Sequence, residues 1–235
     1  MPPLFHGRQH PEKGEQLMVK CARGLLVSGI LLVAAPLMAQ IGMRPPQFNG
    51  IWSPVVGSGA TYETTGSDGN KNQMTIAVVS KEDVDGKTGY WMEMAFSGRD
   101  AQTTYTQVLM VLDGAQTHIE KMVLQMPGRP PMEMPMEMMK GAQRQATPAD
   151  VRQDAEKVGT ESVTTPAGSF DCEHWRTRNG QDVWVSPKIT PWGLVKTSGG
   201  SASMTLTKVI TDAKSHITGT PQKFDFSQMG RGRGQ

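Results

Sequence analysis

Three turn dipeptides divide much of the chain into pairs of segments with alternating polarity. Asp85-Gly86, Asp113-Gly114 and Asn179-Gly180 each lie between two such segments. These dipeptides favour tight hairpin turns, because both central residues tolerate positive φ. Beside Asp85-Gly86, residues 72–80 and 88–96 carry apolar side chains at every second position, which is the period of a half-buried strand. The pattern predicts a mainly β fold and argues against a helical protein.

Further strands are expected outside the three hairpins, near residues 50–65, 158–164, 192–197 and 202–211. Many antiparallel strands joined by short turns must curve or stack to bury their apolar faces. We therefore predict a strongly curved antiparallel sheet or half-barrel. A closed barrel and a two-sheet sandwich remain alternatives at this level.

A proline-rich segment, residues 126–135, interrupts the strand pattern, and proline is excluded from central strands. Pro135 can occupy the first position of a helix that ends near Gln145. Residues 147–150 resemble a capping box with proline at the first helical position. One or two short helices are therefore expected near residues 134–157, where they would cover or plug the sheet.

The N-terminal region has the layout of a secretory signal peptide. Lys20 and Arg23 precede the uncharged apolar residues 24–37, and Ala39 supplies a small residue at the cleavage position. The apolar run is short of the ~20 residues that span a bilayer. We expect cleavage after Ala39, which places the mature protein in the periplasm or outside the cell.

Four segments follow from these observations. Residues 1–39 are the signal peptide, with Met18 as an alternative start, and residues 40–49 are a linker. Residues 50–220 form a single β-rich domain. Residues 221–235, which end in a Gly/Arg repeat, are expected to be a disordered tail.

The charge balance argues against nucleic acid as a partner. The chain has 24 basic and 22 acidic residues, and removing the expected signal peptide leaves 20 of each. A neutral mature chain lacks the net positive charge that binding to nucleic-acid phosphates requires.

Four segments of the chain carry a family resemblance. They are residues 84–91, 159–172, 182–186 and 191–196. The second contains the Pro166-Ala167-Gly168 turn, and the third contains Trp184. Over residues 50–210 the chain resembles exported bacterial proteins with a domain of unknown function, similar to outer-membrane lipoprotein-sorting factors and related half-barrel carriers. The resemblance implies a curved sheet with a hydrophobic concave face. An apolar small molecule, a lipid or a lipidated protein would bind there, with peripheral membrane contact. It implies no catalytic residue.

Methionine is abundant, and six of the 17 methionines lie within 14 residues. Thioethers are soft ligands that suit Cu(I), so one interpretation is a copper site. Its candidate ligands are Met132, Met134, Met136, Met138 and Met139. Flexible methionine side chains also form adaptable apolar surfaces. The second interpretation is therefore packing, or binding of an apolar ligand.

The remaining reactive side chains do not form a recognisable catalytic motif. Cys172 and His174 share a strand face, but two groups are too few for a zinc site, and cysteine is commonly buried. The sequence contains no nucleophile elbow, paired-carboxylate motif or glycine-rich phosphate loop. We therefore expect Cys172 to pack in the core, and the protein to be neither an enzyme nor a cofactor carrier.

Three functions remain open. The first is an exported envelope protein that binds an apolar ligand, lipid or lipidated partner on a curved sheet. The second is a methionine-rich copper(I)-binding protein, and the third is a structural envelope component without a small ligand.

Overall fold

Thirteen strands form one continuous sheet in the computed structural model. The structure describes residues 50–97, 102–135, 137, 147–199 and 202–224. All of them belong to one compact unit, Arg44–Gln235. The strands are β1 (Gly59–Gly66), β2 (Lys71–Val84), β3 (Lys87–Ser97), β4 (Thr103–Asp113), β5 (Gln116–Gln125), β6 (Met132–Glu133), β7 (Thr147–Pro148), β8 (Ala155–Thr165), β9 (Gly168–Thr177), β10 (Asp182–Val185), β11 (Leu194–Ser198), β12 (Ala202–Ile210) and β13 (Gln222–Lys223).

The strand order is β13-β6-β5-β4-β3-β2-β1-β12-β11-β10-β9-β8, and β7 pairs with β5 beside this path. Every ladder is antiparallel except the parallel pair of β13 with β6. The sheet is therefore open, with β13 at one end and β8 at the other. The predicted mainly β fold is confirmed, and the closed-barrel alternative is wrong.

The three predicted hairpins are confirmed as β2–β3, β4–β5 and β9–β10. Asp85 and Gly86 take φ values of 52° and 79°, and Gly114 and Gly180 take 60° and 79°. In β4–β5 the strands pair up to Asp113, so the two-residue loop begins one position later than expected. Glycine supplies the left-handed conformation in each turn, as the dipeptides predicted.

The expected helix starting at Thr147 is wrong. Residues 147 and 148 form β7 against β5, and one 3-10 turn, Val151–Gln153, follows. Asp150 caps this turn, because its carboxylate accepts a 2.9 Å hydrogen bond from the Arg152 N–H. Strand pairing with β5 overrides the local capping signal. The other expected helix, from Pro135 to about Gln145, lies mostly outside the described residues.

One face of the sheet, called the inner face, carries the apolar core. In an antiparallel ladder, directly opposite residues point to the same face. Tyr62 lies opposite Met74 and Leu206, and Ile76 lies opposite Met94. These five side chains are at most 7% exposed. The opposite face is called the outer face.

Register shifts interrupt five strand pairs, at Thr61/Tyr62, Val78/Ser80, Leu109/Met110, Lys157/Gly159 and Trp184/Val185. Each such irregularity bends its strand and increases the local twist. Side chains can therefore contact the next strand but one on the inner face. The Tyr62 hydroxyl, for example, donates a 3.1 Å hydrogen bond to the Leu194 carbonyl.

Residues 211–224, called the C-terminal strap, cross the outer face after β12. The Ala213 N–H donates to the Gly57 carbonyl at 2.8 Å, and the Gln107 amide donates to the Ser215 hydroxyl at 2.6 Å. The strap ends in β13, beside β6. The tail was expected to be disordered from residue 221, but residues 221–224 are described, and the other tail residues lie outside the description.

The expected signal peptide (residues 1–39) and linker (residues 40–49) lie outside the described residues. Within the described part of the chain, no helix has the length and apolar character needed to cross a membrane.

Candidate binding site

Seven methionines share the inner face of β2–β6 and are called the methionine face. They are Met74, Met92, Met94, Met110, Met122, Met132 and Met134. The first five and Met134 are each at most 9% exposed, and Met132 is half-buried. The face is therefore apolar, rich in sulfur and made of side chains that repack readily.

The predicted copper ligands divide between this face and the undescribed residues. Met132 lies opposite Leu124 on β5. The Met134 N–H donates a 2.9 Å hydrogen bond to the Met122 carbonyl, which extends the same ladder. Met136, Met138 and Met139 lie outside the described residues. Sequence reasoning selected the dense cluster and overlooked its link to the strand methionines, although the two-residue spacing of Met92 and Met94 was visible.

Three loops close over part of the inner face and are called the plug. They comprise residues 50–53, 149–151 and 186–193. The Ile51 N–H donates to the Trp192 carbonyl, and the Trp52 N–H donates to the Ala149 carbonyl, both at 2.7 Å. Backbone bonds therefore tie the first loop to the other two, although the three are far apart in sequence.

Aromatic rings join the plug to the sheet. The ring centroids of Trp52 and Trp192 are 4.7 Å apart, and Trp52 meets Tyr90 edge-on at 6.2 Å. Tyr90 lies opposite Met110 on the inner face. Trp192 and Ile189 are each 1% exposed, whereas Trp52 and Tyr90 are half-buried. Trp52 therefore packs the plug against the inner face, which also carries the methionines.

Two features inside the plug depend on close packing. A Cβ at Gly50 would lie 2.2 Å from the Trp192 carbonyl oxygen, so only glycine fits there without a backbone shift. The Ser186 side chain is 1% exposed, and its hydroxyl has no hydrogen-bond partner among the described residues. A buried polar group in that state is costly.

A cluster of paired charges and aromatic rings lies on the outer face of β8–β11. His174 Nε2 is 2.9 Å from an Asp182 oxygen, and His174 Nδ1 is 3.3 Å from a Glu161 oxygen. The His174 ring stacks on Trp184 with centroids 4.3 Å apart. Lys196 lies over Trp184 at 5.1 Å. Because β9 and β11 flank β10, the Trp184 ring is covered from both neighbouring strands.

This outer-face cluster is organised as a cross-strand ladder of paired charges. Hydrogen bonds from Arg176 and then His174 lower the pKa of the Asp182 carboxyl, so it stays ionised beside them. Carboxylate oxygens thus lie within 3.3 Å of both ring nitrogens of His174. Among the described residues, no group of three or more His, Cys, Asp or Glu has a metal-binding arrangement.

Cys172 is buried, as the sequence analysis expected, although it lies on the outer face of β9. It is 3% exposed and lies on the same strand face as Phe170 and His174. Burial, together with the charges of Asp171 and Glu161, raises the pKa of its thiol to about 11. The thiol is therefore protonated at neutral pH, which makes it a poor nucleophile.

Comparison with known proteins finds likeness of fold only. No protein-family model and no curated sequence matches the chain. A predicted lipoprotein from Parabacteroides distasonis matches at 14% identity, over 70% of this chain and 99% of its own, with a TM-score of 0.35. A predicted exported protein with a YmcC-like fold from Bacteroides fragilis matches at 14% identity, over 68% and 98%, with a TM-score of 0.33. MucB matches at 12% identity, over 69% of this chain and 57% of its own, with a TM-score of 0.31.

Proposed function

We propose that this is an exported, non-enzymatic binding protein of the cell envelope, which takes an apolar chain between the methionine face and the plug. The ligand class is the acyl chain of a lipid or of a lipidated partner. The observation that carries the proposal is the methionine face itself. Seven flexible, apolar side chains on five adjacent strands form a surface that can repack around a chain of variable shape.

The plug supports this proposal, because one of its contacts with the inner face is a pair of aromatic rings. Trp52 contacts Tyr90 through ring edges, and an aromatic pair of this kind contributes only ~1 kcal/mol beyond area burial. Movement of Trp52 would expose the apolar side chains beneath it. The Ser186 hydroxyl, which has no hydrogen-bond partner within the described ranges, lies in the same plug, where it would bind the carbonyl or hydroxyl group at the polar end of an acyl ligand.

A Cu(I)-binding function is the second candidate, and one observation favours it. Met122, Met132 and Met134 lie on the inner face of the adjacent strands β5 and β6 and just beyond β6. Three thioethers that face the same way can serve as soft ligands for Cu(I). This candidate requires the sulfur atoms, whereas the acyl-binding candidate requires only apolar bulk.

One titration experiment separates the candidates. The mature chain and a Met122→Leu/Met132→Leu/Met134→Leu variant are titrated with a fluorescent fatty acyl probe, and with Cu(I) against a competing chelator. Leucine keeps the apolar volume and removes the sulfur, so acyl binding should change by less than about threefold. Met204→Leu, on β12 outside the methionine face, is the control for the substitution itself.

The outcomes point in different directions. Acyl-probe binding by both proteins supports the proposed function, and faster probe association in Trp52→Ala would locate entry at the plug. Tight Cu(I) binding that the triple variant loses, without acyl binding, would replace the proposal with the copper function. Binding of neither ligand by either protein would leave a structural envelope component.

A further inference from the structure

Strand β8 ends the sheet with a long unpaired edge. Its 11 residues, Ala155–Thr165, pair with β9 on one side. No described residue donates or accepts a backbone hydrogen bond on its other side. β8 also lies near β12 without pairing with it. Such an edge presents a row of unpaired N–H and C=O groups that can accept another strand.

The two halves of β8 differ in how well they are protected. The first half contains Lys157 and the register shift at Lys157/Gly159, and a lysine and a bulge are both devices that discourage edge pairing. From Thr160 to Thr165 the register with β9 is regular. Most of that half is exposed and three of its six residues are threonine, a residue that favours strands.

The charge beside the regular half is negative. Residues 158–175 contain Glu161, Asp171 and Glu173 and no lysine or arginine, and Lys157 of the first half pairs with Glu173 at 3.3 Å, which leaves Glu161 and Asp171. Glu161 is 53% exposed at its side chain, and Asp171 is exposed. Glu161 lies on the outer face, opposite Cys172, while Asp171 lies opposite Ser162 on the inner face. A strand added here would have Glu161 of the adjacent strand β8 on its outer side, and Asp171 of β9, one strand further away, on its inner side.

We propose that the edge from Thr160 to Thr165 is a docking site for an extended, basic segment of a partner protein, which adds one strand to the sheet. Main-chain hydrogen bonds supply the affinity in strand addition, and side-chain contacts select the sequence. Lysine or arginine side chains of the partner would alternate between the Glu161 side and the Asp171 side. A second copy of this chain fits the edge poorly, because pairing β8 with itself would bring two acidic hairpins together.

The test uses the mature chain and a fluorescein-labelled nine-residue peptide in which pairs of lysines alternate with pairs of valines, so that each lysine pair presents one cation to each face of the added strand. Anisotropy titrations compare this probe with the same peptide carrying N-methyl groups at every second residue, which removes the N–H donors along one edge. We expect the parent peptide to bind and the N-methyl peptide to lose at least about tenfold in affinity, since strand addition depends on those donors.

Two protein variants locate the site. Glu161→Lys should weaken binding of the parent peptide by at least about fivefold, because an attraction becomes a repulsion beside the added strand. Glu120→Lys, an equal charge change at an exposed position on β5 in the other half of the sheet, should change binding by less than about twofold. Amide hydrogen exchange of residues 160–165 should slow when the peptide is bound.

Several results would overturn the proposal. Equal binding of the parent and N-methyl peptides would indicate charge attraction without strand addition. Equal effects of the two lysine variants would place the peptide elsewhere. Absence of binding, or a dimer in sedimentation whose residues 160–165 are already protected from exchange, would also contradict it. None of these results bears on acyl binding at the methionine face.

Discussion

The carboxylate of Glu93 on β3 accepts a 2.7 Å hydrogen bond from Nδ1 of His216, which lies 123 residues later in the C-terminal strap. Glu93 is 4% exposed. It also accepts hydrogen bonds from the His216 N–H at 3.0 Å and from the Gln107 amide at 2.8 Å. A buried carboxylate requires such partners, so Glu93 fixes the point where the strap crosses the outer face.

His216→Ala should lower the free energy of unfolding by about 1 kcal/mol. The change removes one hydrogen bond to a charged group and the stacking of the imidazole on Tyr105, whose centroid is 4.9 Å away. It leaves the backbone N–H bond to Glu93. Urea unfolding measures the difference, and Lys214→Ala, at an exposed position of the strap, should lie within about 0.5 kcal/mol of wild type. Equal losses for both variants would contradict a specific role for His216.

Gly50→Ala should destabilise the protein by about 1–3 kcal/mol, because the new methyl group would collide with the Trp192 carbonyl and force the plug to shift. Gly159→Ala is the matched control, since nothing lies within 4 Å of its Cβ position. Its stability should equal or slightly exceed that of wild type. Thermal unfolding distinguishes the two variants, and an unaltered melting temperature for Gly50→Ala would show that the plug does not pack as described.

The Cys172 thiol should react slowly with iodoacetamide in the native protein and rapidly after unfolding in urea. Burial limits access, and the pKa raised to about 11 leaves little thiolate at pH 8. The labelling rate should still be rising above pH 9, where an ordinary thiol is already mostly ionised. A Cys21→Ser background leaves one thiol to follow. Labelling at the unfolded rate under native conditions would place the thiol at the surface.

Acid should remove a stabilising contribution from Asp182. Hydrogen bonds from Arg176 and His174 lower the pKa of its carboxyl in the folded protein. The contribution is therefore complete above the unfolded pKa of about 3.9, and it is lost as the pH falls through the folded value. Between pH 7 and pH 3, Asp182→Asn should lose less stability than wild type, as urea unfolding at each pH would measure. Parallel curves for Asp182→Asn and wild type would refute the linkage.

Export should yield a mature N-terminus at or near Gln40. The signal-peptide layout of residues 20–39 predicts cleavage after Ala39. N-terminal sequencing of the protein from the periplasm or medium tests this, with an Ala39→Arg variant as the control that blocks cleavage. An intact N-terminus on cytoplasmic protein would contradict the prediction.

The hairpins were predictable because their determinants are local. Asp85-Gly86 and Asn179-Gly180 specify positive φ within two residues, and alternation in the flanking segments sets the strand faces. The helix predicted at residues 147–150 failed for the opposite reason. Its capping signal is also local, but the backbone of Thr147 and Pro148 pairs with β5, and tertiary pairing outweighed it.

The candidate site was only partly predictable, since its parts are distant in sequence. The cluster near Met132 was visible, but its position beside Met122 depends on the short strand β6. The approach of Gly50 to Trp192 and the bond between Glu93 and His216 carry no sequence signal of their own. They follow from the bends that bring remote strands and loops together.

The two ends of the sheet differ in a way that governs assembly. Continued growth of a fibre by edge-to-edge pairing requires every unit to offer two open edges, so that each addition creates a new acceptor. In the described part of the chain, one end of the sheet is the 11-residue β8 and the other is the two-residue β13. A molecule with one usable edge terminates any such array after a single joining step. The two residues of β13 offer too little edge for such pairing, so an array joined at β8 would stop at a pair of molecules.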